Sequence, residues 1–421
     1  MIVLTILAYL FSFLCLLPNA TLFVHLRPPR NFYIVGFQLL AASLSPALFV
    51  LGLAGAGLGW LTGAWVAAAA GLAGAAVSAV YIVLATRPQK GFEQAFGADW
   101  KSKIAPAQAA RLIKRRWGIG LPETGEPRWE RNIAFWAIPG AEERKLLCDV
   151  WQPPEGVPPS GLAIIYFHGS AWWILNKDFG TRPFFRQLAA QGHVVMDVAY
   201  RLCPEVDIYG MVGDVKRAAA WMKANAARYG ANPERVVLAG ASAGGHLSML
   251  AAYAPYLPQL TPADVQDCDL AVRAVVSYYG PADLAACYRK TGQERMANLP
   301  KIEVGPQAAA TIKKDMSKAG RLDTLLGGHL HEVPEIYALA SPVTYVHADC
   351  PPTLLIQGED DLITPVQATR ELYQKLVGCG VPAVNIVYPL TNHAFDLLFP
   401  QAAPAAQSAL YDLERFLALV A

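Results

Sequence analysis

The first 86 residues contain two charged side chains, Arg27 and Arg30, in an otherwise almost unbroken apolar run. Apolar runs of this length in a chain of 421 residues point to a bilayer. Three stretches fill this region: Met1 to about Leu26, Phe32 to about Leu53, and Leu58 to about Leu84. Each is long enough to cross a hydrocarbon core of ~30 Å at ~1.5 Å per helical residue. Gly52, Gly55, Gly57 and Gly59 are expected to form the turn between the second and third. The small residues Ala67 to Ala70, Gly71, Gly74, Ala75 and Ala76 point to close helix packing in lipid.

Residues 1–20 carry no basic residue ahead of the apolar run, so they are expected to be retained as a span rather than cleaved as a signal peptide. Arg27 and Arg30 precede two crossings, while Arg87, Lys90, Lys101, Lys103, Arg111, Lys114, Arg115 and Arg116 follow them. The two groups share a side, and the positive-inside rule makes that side cytoplasmic. Seven scattered cysteines agree with a reducing compartment. The rest of the chain, 87–421, holds 33 basic and 33 acidic residues, a balance without the basic face that nucleic-acid binding needs. No Cys/His spacing fits a metal site, and His329 with His331 reads as a loop pair.

Residues 87–131 read as a juxtamembrane amphipathic linker. Phe92, Phe96, Trp100 and Ile104 recur at helical spacing, and Ala110–Trp117 is basic with an apolar face. Such a segment either lies on the anionic leaflet or packs on the domain that follows. From about Asn132 to the end, strands alternate with helices, which predicts a mostly parallel sheet covered on both faces. A less regular insertion, about 281–350, is expected to form a cap, with Ile302, Val304, Ala308–Ala310 and Ile312 on a helix.

Functional loops of such a sheet gather at the C-terminal strand ends. Gly240-Ala241-Ser242-Ala243-Gly244 follows a β-prone run and opens a helix, the strand–turn–helix setting of a nucleophile elbow. A serine hydroxyl needs a base within hydrogen-bond reach, and a carboxylate on the other imidazole nitrogen to fix the tautomer. His393, in Thr391-Asn-His-Ala-Phe-Asp396, is the histidine that follows a late strand; His246 reads as a packed residue one turn beyond Ser242. The acid comes from Glu359, Asp360 or Asp361; Asp361 is chosen because it lies farthest out on its loop, with Asp360 next. Gly169, Ser170 and Ala243 are expected to supply oxyanion-hole amides. Trp172, Trp173, Tyr209 and Met211 are expected to line an apolar substrate pocket.

His168-Gly-Ser-Ala-Trp-Trp173, Ala199-Tyr-Arg-Leu-Cys-Pro-Glu205, Gly240-Ala-Ser-Ala-Gly-Gly-His-Leu247 and Asn392-His-Ala-Phe-Asp396 together resemble the hormone-sensitive-lipase-like carboxylesterases and their kynurenine-formamidase and ferulate-esterase relatives. The resemblance spans about 145–415 and implies an α/β-hydrolase fold behind a three-helix transmembrane segment. It departs from the pattern at Ser170 and Ala171, where glycine is usual, and at Ala241, where Asp is common; a hydroxyl in the oxyanion loop is expected to narrow substrate choice. The expected activity is serine carboxylesterase chemistry on an apolar, lipid-like or small ester at the membrane, without metal or other cofactor. An arylformamidase or peptidase, a methylesterase of the isoprenylcysteine type, and a silent membrane-tethered binding module are the alternatives.

Overall fold

The computed structural model describes residues 1–24, 34–138, 140–293 and 320–421. The Arg27/Arg30 loop and the cap helix expected over 302–312 lie outside these residues. Among the described residues eight strands form one sheet: β1 (Arg128–Ile138), β2 (Ala141–Gln152), β3 (Gly161–Phe167), β4 (Val194–Ala199), β5 (Ala231–Ala241), β6 (Ala274–Tyr278), β7 (Thr353–Gly358) and β8 (Ala383–Tyr388). Their order across the sheet is β1-β2-β4-β3-β5-β6-β7-β8. β1 and β2 pair antiparallel, β2 meets β4 antiparallel, and every later pairing is parallel.

Both faces of the parallel part are buried, which is why its strands read as continuous apolar runs rather than alternating ones. In β3, Ala163, Ile165 and Phe167 enter one core with the helices Ile208–Asn225 and Ala243–Tyr253. Leu162, Ile164 and Tyr166 face the opposite core, against the helices Arg182–Ala190 and Pro404–Val420. The alternation of strands and helices expected from about Asn132 onward, and the mostly parallel sheet it predicts, are what is observed.

The N-terminal region corrects one expectation. Among the described residues three helices are long and apolar enough to cross a membrane, but the second is Ser45–Thr62, preceded by a ten-residue apolar helix, Ile34–Ser43. The third starts at Trp65 and runs to Thr86. The glycines expected to turn the chain lie inside the second long helix instead. A Cβ at Gly52 would sit 2.8 Å from both Cys15 Sγ and the Gly71 carbonyl, and one at Gly59 would sit 2.6 Å from the Ala68 amide. Hydrogen here lets three backbones approach closely, as small residues do between helices in lipid. The chain turns at Gly63, which takes φ of +72° as a left-handed helix cap. Asn19 adds polar contacts within the bundle, donating to the Gly74 carbonyl at 3.2 Å and to Ser78 Oγ at 2.9 Å.

The linker packs on the sheet domain. Phe92, Trp100 and Ile104 are buried in the same core as Val384 and Phe416, with Phe92 stacked on Trp100. Residues 110–117 are not helical, contrary to the amphipathic pattern. Their polar groups are claimed by the C-terminal helix: Arg116 makes a two-pronged pair with Asp412 at 2.5 and 2.8 Å, and the Ile113 amide donates to Glu414. These tertiary bonds outweigh the weak helical preference of so short a segment. Among the described residues, which include all seven cysteines, there is no disulfide.

Candidate active site

Ser242 stands between β5 and the helix Ala243–Tyr253 with φ of +50° and ψ of −119°. A side-chain-bearing residue takes such a backbone only when its surroundings over-determine it. Here they do. The Ser242 amide donates to the Tyr278 carbonyl at 2.9 Å, and its carbonyl accepts from the His246 amide at 2.9 Å. A Cβ at Gly244 would overlap the Phe167 carbonyl, and one at Gly240 would overlap the Gly244 backbone. The motif's glycines are therefore the cost of bringing β3 and the elbow together.

The loops after β7 and β8 are joined before they reach the serine. The Glu359 amide donates to the Tyr388 carbonyl at 2.9 Å and the Asp360 amide to the Thr391 carbonyl at 3.0 Å. His393 Nε2 lies 2.9 Å from Ser242 Oγ, and its Nδ1 lies 2.8 Å from Asp361 Oδ2. Asp361 is 2% exposed and His393 8%. Asp361 Oδ1 accepts from the amides of Ile363 and Thr364, both at 2.8 Å, while Oδ2 also accepts from Thr364 Oγ1 at 2.6 Å. These three donors, with Gln357 Nε2 at 3.5 Å from Oδ2 as a weaker fourth, hold a buried carboxylate that would otherwise be costly. Asp360 is exposed and Glu359 pairs with Arg370 at the surface, so Asp361 is the carboxylate that reaches the imidazole.

The loop after β3 passes beside Ser242: a Cβ at Gly169 would lie 3.4 Å from Ser242 Cβ. Ala243 opens the helix, where the first amides have no acceptor within the helix. The Ser170 hydroxyl is not free to narrow a pocket. It is 2.6 Å from Tyr200 Oη and accepts from the Trp172 amide at 2.9 Å. Tyr200 in turn donates to the His168 carbonyl at 2.9 Å, and the Cys203 amide donates to the Trp172 carbonyl at 2.9 Å. The Ala199–Glu205 motif is thus a brace for the loop after β3, and Arg201 fixes the brace by a two-pronged pair with buried Asp214. Ala171 and Trp172 take φ of +47° and +63°, backbone that glycine adopts most easily.

His246 is wholly buried; its Nε2 is 2.7 Å from the Ala340 carbonyl, and its Nδ1 accepts from the Trp172 indole at 3.3 Å. Burial pushes its pKa down to about 4, so it is neutral, with the proton on Nε2. His329 and His331 stack on one another, and His329 Nδ1 meets Tyr288 Oη at 2.8 Å.

All four expected pocket residues belong to, or pack against, one core. Met211 has no exposed surface and sits in the core, Trp172 and Trp173 are also buried there, and Tyr209 borders a surface hollow with Arg201, Pro204 and Gln259. Helix-facing apolar residues near a motif look the same in sequence whether they line a pocket or fill a core. Sequence reasoning also passed over Tyr279, Thr364 and Asn392. The Tyr279 ring lies 4.6 Å from the His393 ring, and its hydroxyl donates to Asp396, whose pKa burial raises. Asn392 Oδ1 accepts from the amides of His393 at 2.7 Å and Leu362 at 3.1 Å, clamping the loops after β7 and β8 together. Thr364 lies three residues after the candidate acid and Asn392 directly before the candidate base; that adjacency is the available signal.

The BD-FAE family model matches residues 148–376. A probable carboxylic ester hydrolase of Mycobacterium tuberculosis, LipM, is 34% identical over 358 residues, covering 82% of this chain and 77% of the relative. The esterase LipQ of the same organism is 28% identical over 308 residues, covering 72% and 68%. Among solved structures, apo esterase 2 of Thermogutta terrifontis superposes with a TM-score of 0.50 at 20% identity, over 69% of this chain and 93% of that one, a likeness of fold. With more than half its length matched and a close relative covered over most of its own, the chain belongs to the BD-FAE family of α/β-hydrolases, alongside these mycobacterial ester hydrolases.

Proposed function

We propose that this protein is a membrane-anchored serine carboxylesterase. The observation that carries the reading is the hydrogen-bond chain Ser242–His393–Asp361, at 2.9 and 2.8 Å, ending on a serine held at positive φ. In the proposed reaction Ser242 Oγ attacks the ester carbonyl while His393 Nε2 takes its proton, and Asp361 stabilises the imidazolium. The amides of Gly169, Ser170 and Ala243 receive the oxyanion. The alcohol leaves with the proton from His393. Water then attacks the acyl-enzyme with His393 again as base, releasing the acid and restoring Ser242.

The three long apolar helices support an anchor, and two of them separate the Arg27/Arg30 segment from Arg87 and the linker, which supports a cytoplasmic catalytic domain. We take the units to be 1–86, 87–131 and 132–421. Exposed Ile363, Leu397, Leu398 and Phe399 lie on the same loops as Asp361 and His393, which supports an apolar substrate met at the membrane surface. The ester-hydrolysing relatives favour an ester over an amide.

The test is hydrolysis of p-nitrophenyl butyrate by the full chain in detergent. Removing a triad serine typically lowers turnover ~10⁶-fold, so Ser242→Ala should fall to background. Equal rates for the two proteins refute the reading. Protease added outside intact cells should leave the catalytic domain uncut; digestion there refutes the orientation.

A further inference from the structure

The helical bundle is joined to the candidate catalytic loops by hydrogen bonds that its anchoring role does not require. Gln38, on the short helix Ile34–Ser43, is 5% exposed in otherwise apolar surroundings. Its amide nitrogen donates to the Thr21 carbonyl at 2.8 Å and the Val24 carbonyl at 2.9 Å, at the end of the first long helix. Its amide oxygen accepts from Asn392 Nδ2 at 3.0 Å. Asn392 is the residue whose oxygen clamps the His393 and Leu362 amides. One residue further back, Thr391 Oγ1 lies 3.2 Å from Tyr81 Oη, and Tyr81 is on the third long helix. Around these bonds Leu22, Ala41, Ala42, Tyr81 and Ala85 share a core with Tyr388 and Phe395.

We propose that Gln38 is a positioning residue for the base and acid, acting through Asn392, with Tyr81 as a second support through Thr391. This rests on the serine-esterase reading above. A polar side chain inside an apolar segment is costly and is kept where it does a task. Gln38 has its carbonyl acceptors within the bundle; its remaining oxygen is turned out of the bundle onto the loop that carries His393. Asn392 has two oxygen-side duties, so without Gln38 its amide nitrogen loses the acceptor that sets which way the side chain faces. The clamp between Leu362 and His393 then loosens, and the Nε2–Oγ geometry with it. A displacement of ~1 Å in reacting groups can cost ~10²-fold in rate.

The test uses the full chain in detergent with a soluble p-nitrophenyl ester, and compares Gln38→Leu, Asn392→Ala, their double variant, Tyr81→Phe, Ser78→Ala and Ser242→Ala. Gln38→Leu should lower kcat about tenfold with KM within about twofold, because the loss lies in placing the base and not in binding. The double variant should be no slower than Asn392→Ala alone, since both act through one clamp. Tyr81→Phe, which removes one hydroxyl and keeps the ring, should lower kcat about threefold and serves if Gln38→Leu does not fold. Ser78→Ala removes a bundle hydrogen bond that does not reach the loop, so it should leave kcat unchanged. The proposal is overturned if Gln38→Leu and Tyr81→Phe both keep kcat within twofold of wild type, if the Gln38 and Asn392 losses multiply, or if Ser78→Ala loses as much as they do. Failure of the esterase reading looks different: wild type and Ser242→Ala would then be equally slow.

Discussion

Replacing Asp361 by Asn should cost about 10⁴-fold in kcat while leaving the fold intact, and the reason lies in which way the new amide must face. Asp361 Oδ1 accepts from two backbone amides, Ile363 and Thr364, each at 2.8 Å. An NH₂ group at that position would meet two donors, so the Asn oxygen has to take it. The NH₂ group then occupies the Oδ2 position, 2.8 Å from His393 Nδ1. Facing a donor, Nδ1 must become the acceptor and the ring proton moves to Nε2, the atom that has to receive the Ser242 proton. A triad histidine held in the wrong tautomer loses ~10⁴ in turnover, which is ~5.5 kcal/mol of barrier at ~1.4 kcal/mol per tenfold. Thr364 Oγ1, which donates to Oδ2 at 2.6 Å, can turn to accept instead, so the melting temperature should change little. The assay is kcat for a p-nitrophenyl ester, with thermal unfolding followed in the same detergent. A loss under tenfold in a folded protein refutes the assignment, as does Asp360→Asn losing more than Asp361→Asn.

Three other outcomes follow from particular contacts. Ser170→Ala removes the hydroxyl joining Tyr200 to the Trp172 amide, so kcat/KM should fall about tenfold, with Tyr200→Phe giving a similar loss in the same assay. Arg116→Met strips the partner from Asp412, whose side chain is fully buried, and should destabilise the folded domain by ~3–5 kcal/mol in denaturant titration. Burial pushes the Glu414 carboxyl up to about 8, above its ordinary 4.5; the folded state then holds a proton the unfolded state has lost, and stability declines as pH rises from about 4.5 to about 8. Glu414→Gln keeps the acceptor for Ile113 and removes the titration, so it should raise the melting temperature at pH 8 and leave it near the wild-type value at pH 4.5.

What was legible in the sequence was what local chemistry dictates. The strand before Gly240, the tight glycines and the order of Ser242, Asp361 and His393 are each set by a few neighbouring residues, and the parallel direction of β5 to β8 carries them to one end of the sheet. Features that depend on distant partners were harder to read. Gly52 and Gly59 look like turn residues until the first and third long helices are seen against them. The basic run 110–117 has a helical pattern, but Asp412 and Glu414, some 300 residues later, decide its conformation. Met211 was indistinguishable from a pocket residue because both settings require an apolar side chain. The hydroxyl of Ser170 was expected in the oxyanion loop's opening, and only Tyr200, 30 residues on, shows that it braces the loop instead.

The central claim is that Ser242 forms a covalent acyl intermediate with His393 as its base. Its most direct test is to treat the full chain with a fluorophosphonate ester and map the adduct by peptide mass spectrometry. The account predicts one adduct, on Ser242, formed at a rate that matches loss of esterase turnover and absent in His393→Ala on the same timescale. Ester turnover that persists with Ser242 fully modified, or an inactivating adduct on another residue, would contradict it.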